Sequence, residues 1–372
     1  MKNSILSIIA VAALTLTSCS NNDDDPIPTG FILNPTDFQG TINEGNIQLD
    51  AAVAYNLTGA LIVEDGAKLT IPAGTKISAS GGTNAYIAVA QGGQIFVNGT
   101  ANNPVVMTSS KTSPAAGDWG GLVICGKART NKGGGTASAE VSSLFYGGTE
   151  NTDNSGSVRY LRLEYTGAEF TADKQFNGLS LFGVGSGTTI EYVQSFKGKD
   201  DGVEFFGGTV TGKYLVSTES GDDGIDFADG WNGTGEFWYV IDAAKAGIEG
   251  SNNGDDGNAT PATTANISKV SIVNSGTSKD EGAIYMKEGT GVWTASNIFI
   301  SGGASGFFMK SSDAVTLKHI TDGDHSISLV QFSNITGEKV NGTTSTSFFS
   351  EGDTTGAGSG ATLPSWANGW TR

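Results

Sequence analysis

Carboxylates recur at a near-constant interval between Gly198 and Gly250. The stretch reads GKDDGVEFFGG, then SGDDGIDFADG, then AAKAGIEGS, and Gly202, Gly224 and Gly247 mark equivalent places in the three segments. In that register Asp200 falls over Asp222, Asp201 over Asp223, and Glu204 over Asp226 and then Glu249; Lys245 continues the Asp200/Asp222 column. If one period is one rung of a sheet, stacked carboxylates lie about 4.8 Å apart. Each such pair repels by roughly 3–4 kcal/mol at an effective dielectric near 20, and by about 1 kcal/mol in open water. A folded chain tolerates this by hydrating the acids, by raising one pKa of each pair, or by binding a hard cation. Oxygen-rich, glycine-flanked turns suit Ca2+, which takes about 6–8 oxygens in flexible geometry. Asp200, Asp201, Glu204, Asp222, Asp223 and Asp226 are therefore the candidate ligands, and Ca2+ the candidate cofactor. The competing reading is a hydrated acidic face, because Asp-Gly forms turns for conformational reasons alone.

The register extends beyond the acids and says what must position them. Gly178 precedes Gly202 by about the same interval. Gly282 follows Gly247 after a longer one, with an Asn/Gly/Asp/Thr-rich insertion between, and Gly306 restores the regular spacing. After each glycine come Leu179, Val203, Ile225, Ile248, Ala283 and Phe307. Two positions on come Leu181, Phe205, Phe227, Gly250, Tyr285 and Met309. Between them stand Ser180, Glu204, Asp226, Glu249, Ile284 and Phe308. This is the in-out-in alternation of a strand. A repeat of roughly 20–25 residues means stacked supersecondary units, and no helical periodicity runs through them. An antiparallel sandwich rarely places its turns at one constant period. The expected fold is all-β, a right-handed parallel β-helix of roughly a dozen rungs. Leu179, Val203, Ile225 and Ile248 should form one inward stack, and Ser180 should face outward, where a charge is tolerated.

Composition bounds the partners. The 372 residues include 55 Gly, 8 Pro and 18 Phe, with a formal net charge of −17. Glycine without a Gly-X-Y period fits many tight turns rather than collagen. Such acidity argues against nucleic acid, whose phosphates need a basic surface, and against docking on an anionic membrane. Lys2, the apolar run Ile5 to Leu16 and Leu16-Thr17-Ser18-Cys19 read as a signal peptide, residues 1–18, too short to span a bilayer. The last four residues resemble a bacterial lipobox, which implies lipid on Cys19. Residues 19–30 then form a tether, and its run Asp23-Asp24-Asp25 resembles the surface-export signal of Bacteroidetes-type lipoproteins. Residues 31–372 are the β-helix domain. With Cys19 lipidated, Cys125 has no disulfide partner; in Leu122-Val123-Ile124-Cys125 it reads as a buried small hydrophobe. Trp366 and Trp370 read as a C-terminal cap over the open end of the solenoid. The chain ends soon after them, and no further sorting domain is expected.

The segments LTIPAGTKI, GGQIFVNGTANNPVVMTS, GDWGGLVICGKA, LFYGGTENTDNSGSVRYLRLEYTGAEF, NGLSLFGVGSGTTIEYVQSF and DDGVEFFGGTV together resemble a group of Bacteroidetes-type secreted and surface lipoproteins with the pectin-lyase-like right-handed β-helix. The resemblance is strong over residues 58–230. It implies fold and an outer-membrane, cell-surface location, and brings no established activity. Gly221-Asp222-Asp223 also resembles the paired aspartates of polygalacturonases, but that family's Gly-His-Gly and Arg-Ile-Lys are missing. Two functions are thus expected. One is a non-enzymatic module that binds glycan or another surface protein. The other is a carbohydrate-active enzyme, in the first place a Ca-dependent polysaccharide lyase, with Lys197, Lys199 or Lys213 as base. A lyase needs acids, lysines and aromatics in one cleft; a scaffold needs only stacked rungs.

Overall fold

The computed structural model describes residues 30–172, 174–274 and 281–372. The signal peptide, the lipobox at Cys19 and the run Asp23 to Asp25 lie outside the described residues. From Phe38 to Glu351 the chain winds into one 24-stranded sheet, every pairing of which is parallel. Two ladders run the length of the molecule. The first passes through eleven strands, from Phe38–Ile42 by way of Leu122–Cys125, Leu179–Phe182, Val203–Phe206, Ile225–Ala228, Ile248–Ser251 and Ile284–Lys287 to Val340–Asn341. The second also has eleven, from Asn46–Gln48 to Phe349–Glu351. A parallel β-helix therefore forms, as the regular period requires, and its interior is one continuous apolar column.

Leu179, Val203, Ile225 and Ile248 pair in register and are buried, as expected. Beyond the insertion the register differs by one position from the expected one. Ala283, not Gly282, takes the glycine's place: the N–H groups of Gly247 and Ile248 both donate to its carbonyl, at 2.9 and 3.0 Å. Ile284 then lies over Ile248, Tyr285 over Glu249 and Met286 over Gly250. The insertion's length hides the period, and Gly282, at φ +71°, serves the turn instead. Gly250 interrupts the Phe205/Phe227 column because a Cβ there would lie 2.0 Å from the Trp293 ring, which fills that space.

Seven of the eleven strands of the second ladder bend at one residue each, and that residue is left-handed. Tyr160, Tyr192, Tyr214, Phe237, Lys269, Asn297 and Leu329 have φ between 51° and 59°. Such backbone is unfavourable for bulky residues. Here the corner side chains stack outside the solenoid: Tyr160 on Tyr192 at 4.2 Å, Tyr192 on Tyr214 at 4.3 Å, and Tyr214 on Phe237 at 4.7 Å.

The C-terminal segment does not cap the open end. It turns back along the side of the solenoid, where Trp366 meets Tyr214 and Phe237 edge-on and Trp370 meets Tyr160 and Tyr192. Its apolar surface finds the protruding corner rings, which no sequence pattern announces. Arg372 closes this strap. Its backbone N–H and C=O both bond the Gln194 side chain, and its guanidinium reaches the buried Glu164 at 3.1 Å. Trp370→Ala is expected to unlatch the strap locally and leave the solenoid folded. Limited proteolysis should then cut within residues 352–370 of the variant and spare the unaltered chain. Equal resistance of both would contradict the docking.

Candidate metal centre

The acids sit on the outer face of the first ladder and in the turns leading into it. Glu204 pairs with Asp226 and Asp226 with Glu249, so the expected column exists. In the turns, Asp201 Oδ1 accepts the N–H of Asp223 at 2.8 Å, and Asp223 Oδ1 accepts that of Ala246. Each carboxylate thus ties its own turn to the next rung. Lys245 extends the Asp200/Asp222 column and lies 2.7 Å from Asp222.

Much of the face is buried. Asp201, Glu204, Asp223, Asp226 and Glu249 are all at most 8% exposed. Two antiparallel hairpins, Thr136–Ser138 with Phe145–Gly147 and Glu169–Thr171 with Lys174–Gln175, bring Glu140, Tyr146 and Lys174 to the same cleft. A second small core, with Val123, Cys125, Tyr146, Phe176 and Phe182, lies beneath them. Cys125 is buried there and its thiol is pushed up to about 12 by loss of solvent. Ser180 is likewise buried, 1% exposed, and in register with Glu204. A charge at Ser180 is therefore not tolerated as expected from an outward position, because this part of the outer face is roofed.

Burial first, and neighbouring carboxylates second, raise the acids above the ordinary range. Asp200 is pushed up to about 7, with Asp222 the chief neighbour. Asp201, Glu204, Asp223 and Asp226 are raised well above it for the same two reasons. For the lysines the two influences oppose each other. Loss of solvent disfavours the charge on Lys287 and Lys245, but Glu249 at 2.5 Å and Asp222 at 2.7 Å outweigh it, and both stay firmly protonated.

The six residues expected from the sequence come together in adjoining groups. Asp201, Glu204 and Asp226 form a fully buried triad with ligand oxygens within 4.8 Å of one another. Asp200, Asp201 and Asp222 form a second such group, and Asp222, Asp223 and Glu281 a third. Oδ1 of Asp226 is buried without a hydrogen-bond partner. An all-oxygen donor set with an unsatisfied buried carboxylate oxygen fits a hard divalent cation such as Ca2+. The period alone misses Glu281, because the displaced register hides it; counted from Ala283 it occupies the Asp200/Asp222/Lys245 column. Glu140 and Lys174 belong to hairpins outside the repeat, and nothing in the period could assign them. Lys197, Lys199 and Lys213 are not in the cleft: they pair with Glu219 at 3.2 Å, with Glu169, and with Glu236 at 2.7 Å. Lys132, Lys174, Lys245 and Lys287 line it instead.

A parallel solenoid with a buried acidic cleft on one ladder defines a parallel β-helix protein. The model of the pectate-lyase-like β-helix domain matches residues 40–371, and the chain belongs to that family. No curated protein and no solved structure matches it. Among the described residues no helix is long and apolar enough to cross a membrane.

Proposed function

We propose that the chain is a cell-surface lipoprotein, anchored in the outer membrane through lipid on Cys19, whose β-helix binds a glycan through a divalent cation held by the carboxylate ladder. The observation that carries the binding reading is the buried Asp201/Glu204/Asp226 triad with Asp226 Oδ1 left unpartnered. Three desolvated carboxylates repel, and a hard cation converts that repulsion into coordination. Asp201, Glu204 and Asp226 would hold the ion, with Asp200, Asp222 and Asp223 alongside. A cation held there would offer Lewis-acid coordination to ligand oxygens, and Tyr146, Phe182 and Phe206 line the adjoining hollow.

A second reading, a polysaccharide lyase, draws support from acids, lysines and aromatics sharing one cleft. Its base must be an uncharged amine able to take a proton next to a sugar carboxylate. Lys245 and Lys287 are held as ammonium by Asp222 and Glu249, the wrong form for that step. Lys132 is also paired, with Asp255, which leaves Lys174 as the lysine of the cleft to test as base. A glycan array probed with the soluble domain separates the two: binding in Ca2+ that is lost in chelator, without ultraviolet-absorbing unsaturated product, is expected. Accumulation of that product would establish the lyase. Binding unaffected by chelator would remove the cation from the reading.

Location has its own test. Cys19→Ala should move the protein from the membrane to the soluble fraction. Replacing Asp23, Asp24 and Asp25 with Ala should leave it lipidated but shielded from protease added to whole cells. Cleavage of that triple variant at the cell surface would contradict an export role for the acidic run.

A further inference from the structure

An aromatic stack on the outer face stops one rung early, beside the acids. Phe182 lies on Phe206 with ring centroids 4.0 Å apart and planes 7° from parallel. In register the next residue is Ala228. A third ring is therefore replaced by a methyl group, and the strand one rung further on offers only Ser251 to the same hollow. The resulting cavity is about 380 Å3, within the range of ligand sites, and Tyr146 from the first hairpin forms part of its wall.

The lining carries six carboxylates and three lysines. Two of the lysines are already engaged: Lys132 lies 2.7 Å from Asp255 and 4.0 Å from Asp229, and Lys287 lies 2.5 Å from Glu249. Asp226, 7% exposed, lines this space with its Oδ1 unpartnered. Asp229, held at a left-handed φ of 56°, accepts the Tyr146 hydroxyl at 3.4 Å. An aromatic face ringed by more carboxyl groups than lysines suits an organic cation better than an anionic sugar.

We propose that this hollow binds a primary ammonium group on a compact stem, seated over Phe206 in place of the missing third ring, with Asp229 as its counter-charge. The site rests on the glycan-binding reading and deepens it by naming an amino sugar as the ligand. Its defining residues, Phe206, Ala228 and Asp229, are not among the proposed cation ligands.

The test is calorimetric titration of the whole chain, in buffer containing Ca2+, with the β-1,4 disaccharide of glucosamine, with the same disaccharide N-acetylated, and with spermidine. The glucosamine disaccharide should bind at least about tenfold more tightly than its acetylated form, a difference of about 1.4 kcal/mol. Spermidine binding without sugar binding would support the ammonium site and assign it to polyamines. Ala228→Phe should complete the stack and weaken the amine about tenfold, while the rise in melting temperature caused by Ca2+ persists. Equal binding of the two disaccharides together with no spermidine binding overturns the proposal, as does an Ala228→Phe protein that binds the amine unchanged. If that variant does not fold, the ligand comparison on the unaltered chain decides. Amine binding with no Ca2+ response would remove the cation reading and leave this one standing.

Discussion

Ile225→Asp is expected to destabilise the solenoid by several kcal/mol, enough to unfold most of the population at room temperature or shortly above it. Ile225 is fully buried between Val203 and Ile248 in the inward stack. A carboxylate there has no counter-charge and loses its water. Ile225→Val removes one methylene from the same place and should cost only about 0.5–1.5 kcal/mol. Urea unfolding of both variants checks the difference through the midpoint at constant slope. Comparable midpoints for Asp and Val would mean that Ile225 does not face the core.

The second large effect is on the pH dependence of the metal-free protein. Asp200 is raised to about 7 and Asp229 to about 6, and Asp201, Glu204, Asp223 and Asp226 are raised well above the ordinary range by burial. Between the unfolded carboxylate range near pH 4 and these raised values, the folded state binds more protons than the unfolded one. Stability therefore falls as pH rises through that window, the reverse of the usual behaviour of paired carboxylates. In chelator the protein should melt higher at pH 5 than at pH 7.5, because every tenfold gain in a carboxyl's proton affinity on folding is worth about 1.4 kcal/mol at low pH. Ca2+ should remove most of that difference, because a bound ion stabilises the charged carboxylates. A chelated protein that gains stability from pH 5 to pH 7.5 would show that the ladder is not desolvated.

How much of this is legible in the sequence follows from what a repeat can encode. The period fixes which residues stack, so Glu204 over Asp226 over Glu249, and Leu179 over Val203 over Ile225, can be read from the spacing of the glycines. It fails where it is interrupted, which is why the spacing puts Ala283 and Glu281 one position away from where they stand. It is also silent on what lies over the stacked face. The hairpins bearing Glu140, Tyr146 and Lys174 are non-repeating, and their docking turns an outward position such as Ser180 into a buried one. Left-handed Tyr160, Tyr192, Tyr214 and Phe237 run against local propensity; only stacking between rungs rationalises them. The strap carrying Trp366 and Trp370 follows those rings rather than the end of the solenoid.

The central claim is that the ladder holds a divalent cation, and the most direct measurement is the melting temperature in millimolar CaCl2 against NaCl of equal ionic strength. Binding to the folded state alone adds RT ln(1 + [L]/Kd), about 2.7 kcal/mol at a hundred times Kd. For a chain of this length that is roughly 4 °C. Matched ionic strength is essential, because screening by any salt also relieves carboxylate repulsion. The account predicts that CaCl2 raises the melting temperature by several degrees more than NaCl, that chelator reverses the gain, and that Asp226→Asn abolishes most of it. Equal stabilisation by the two salts would contradict it.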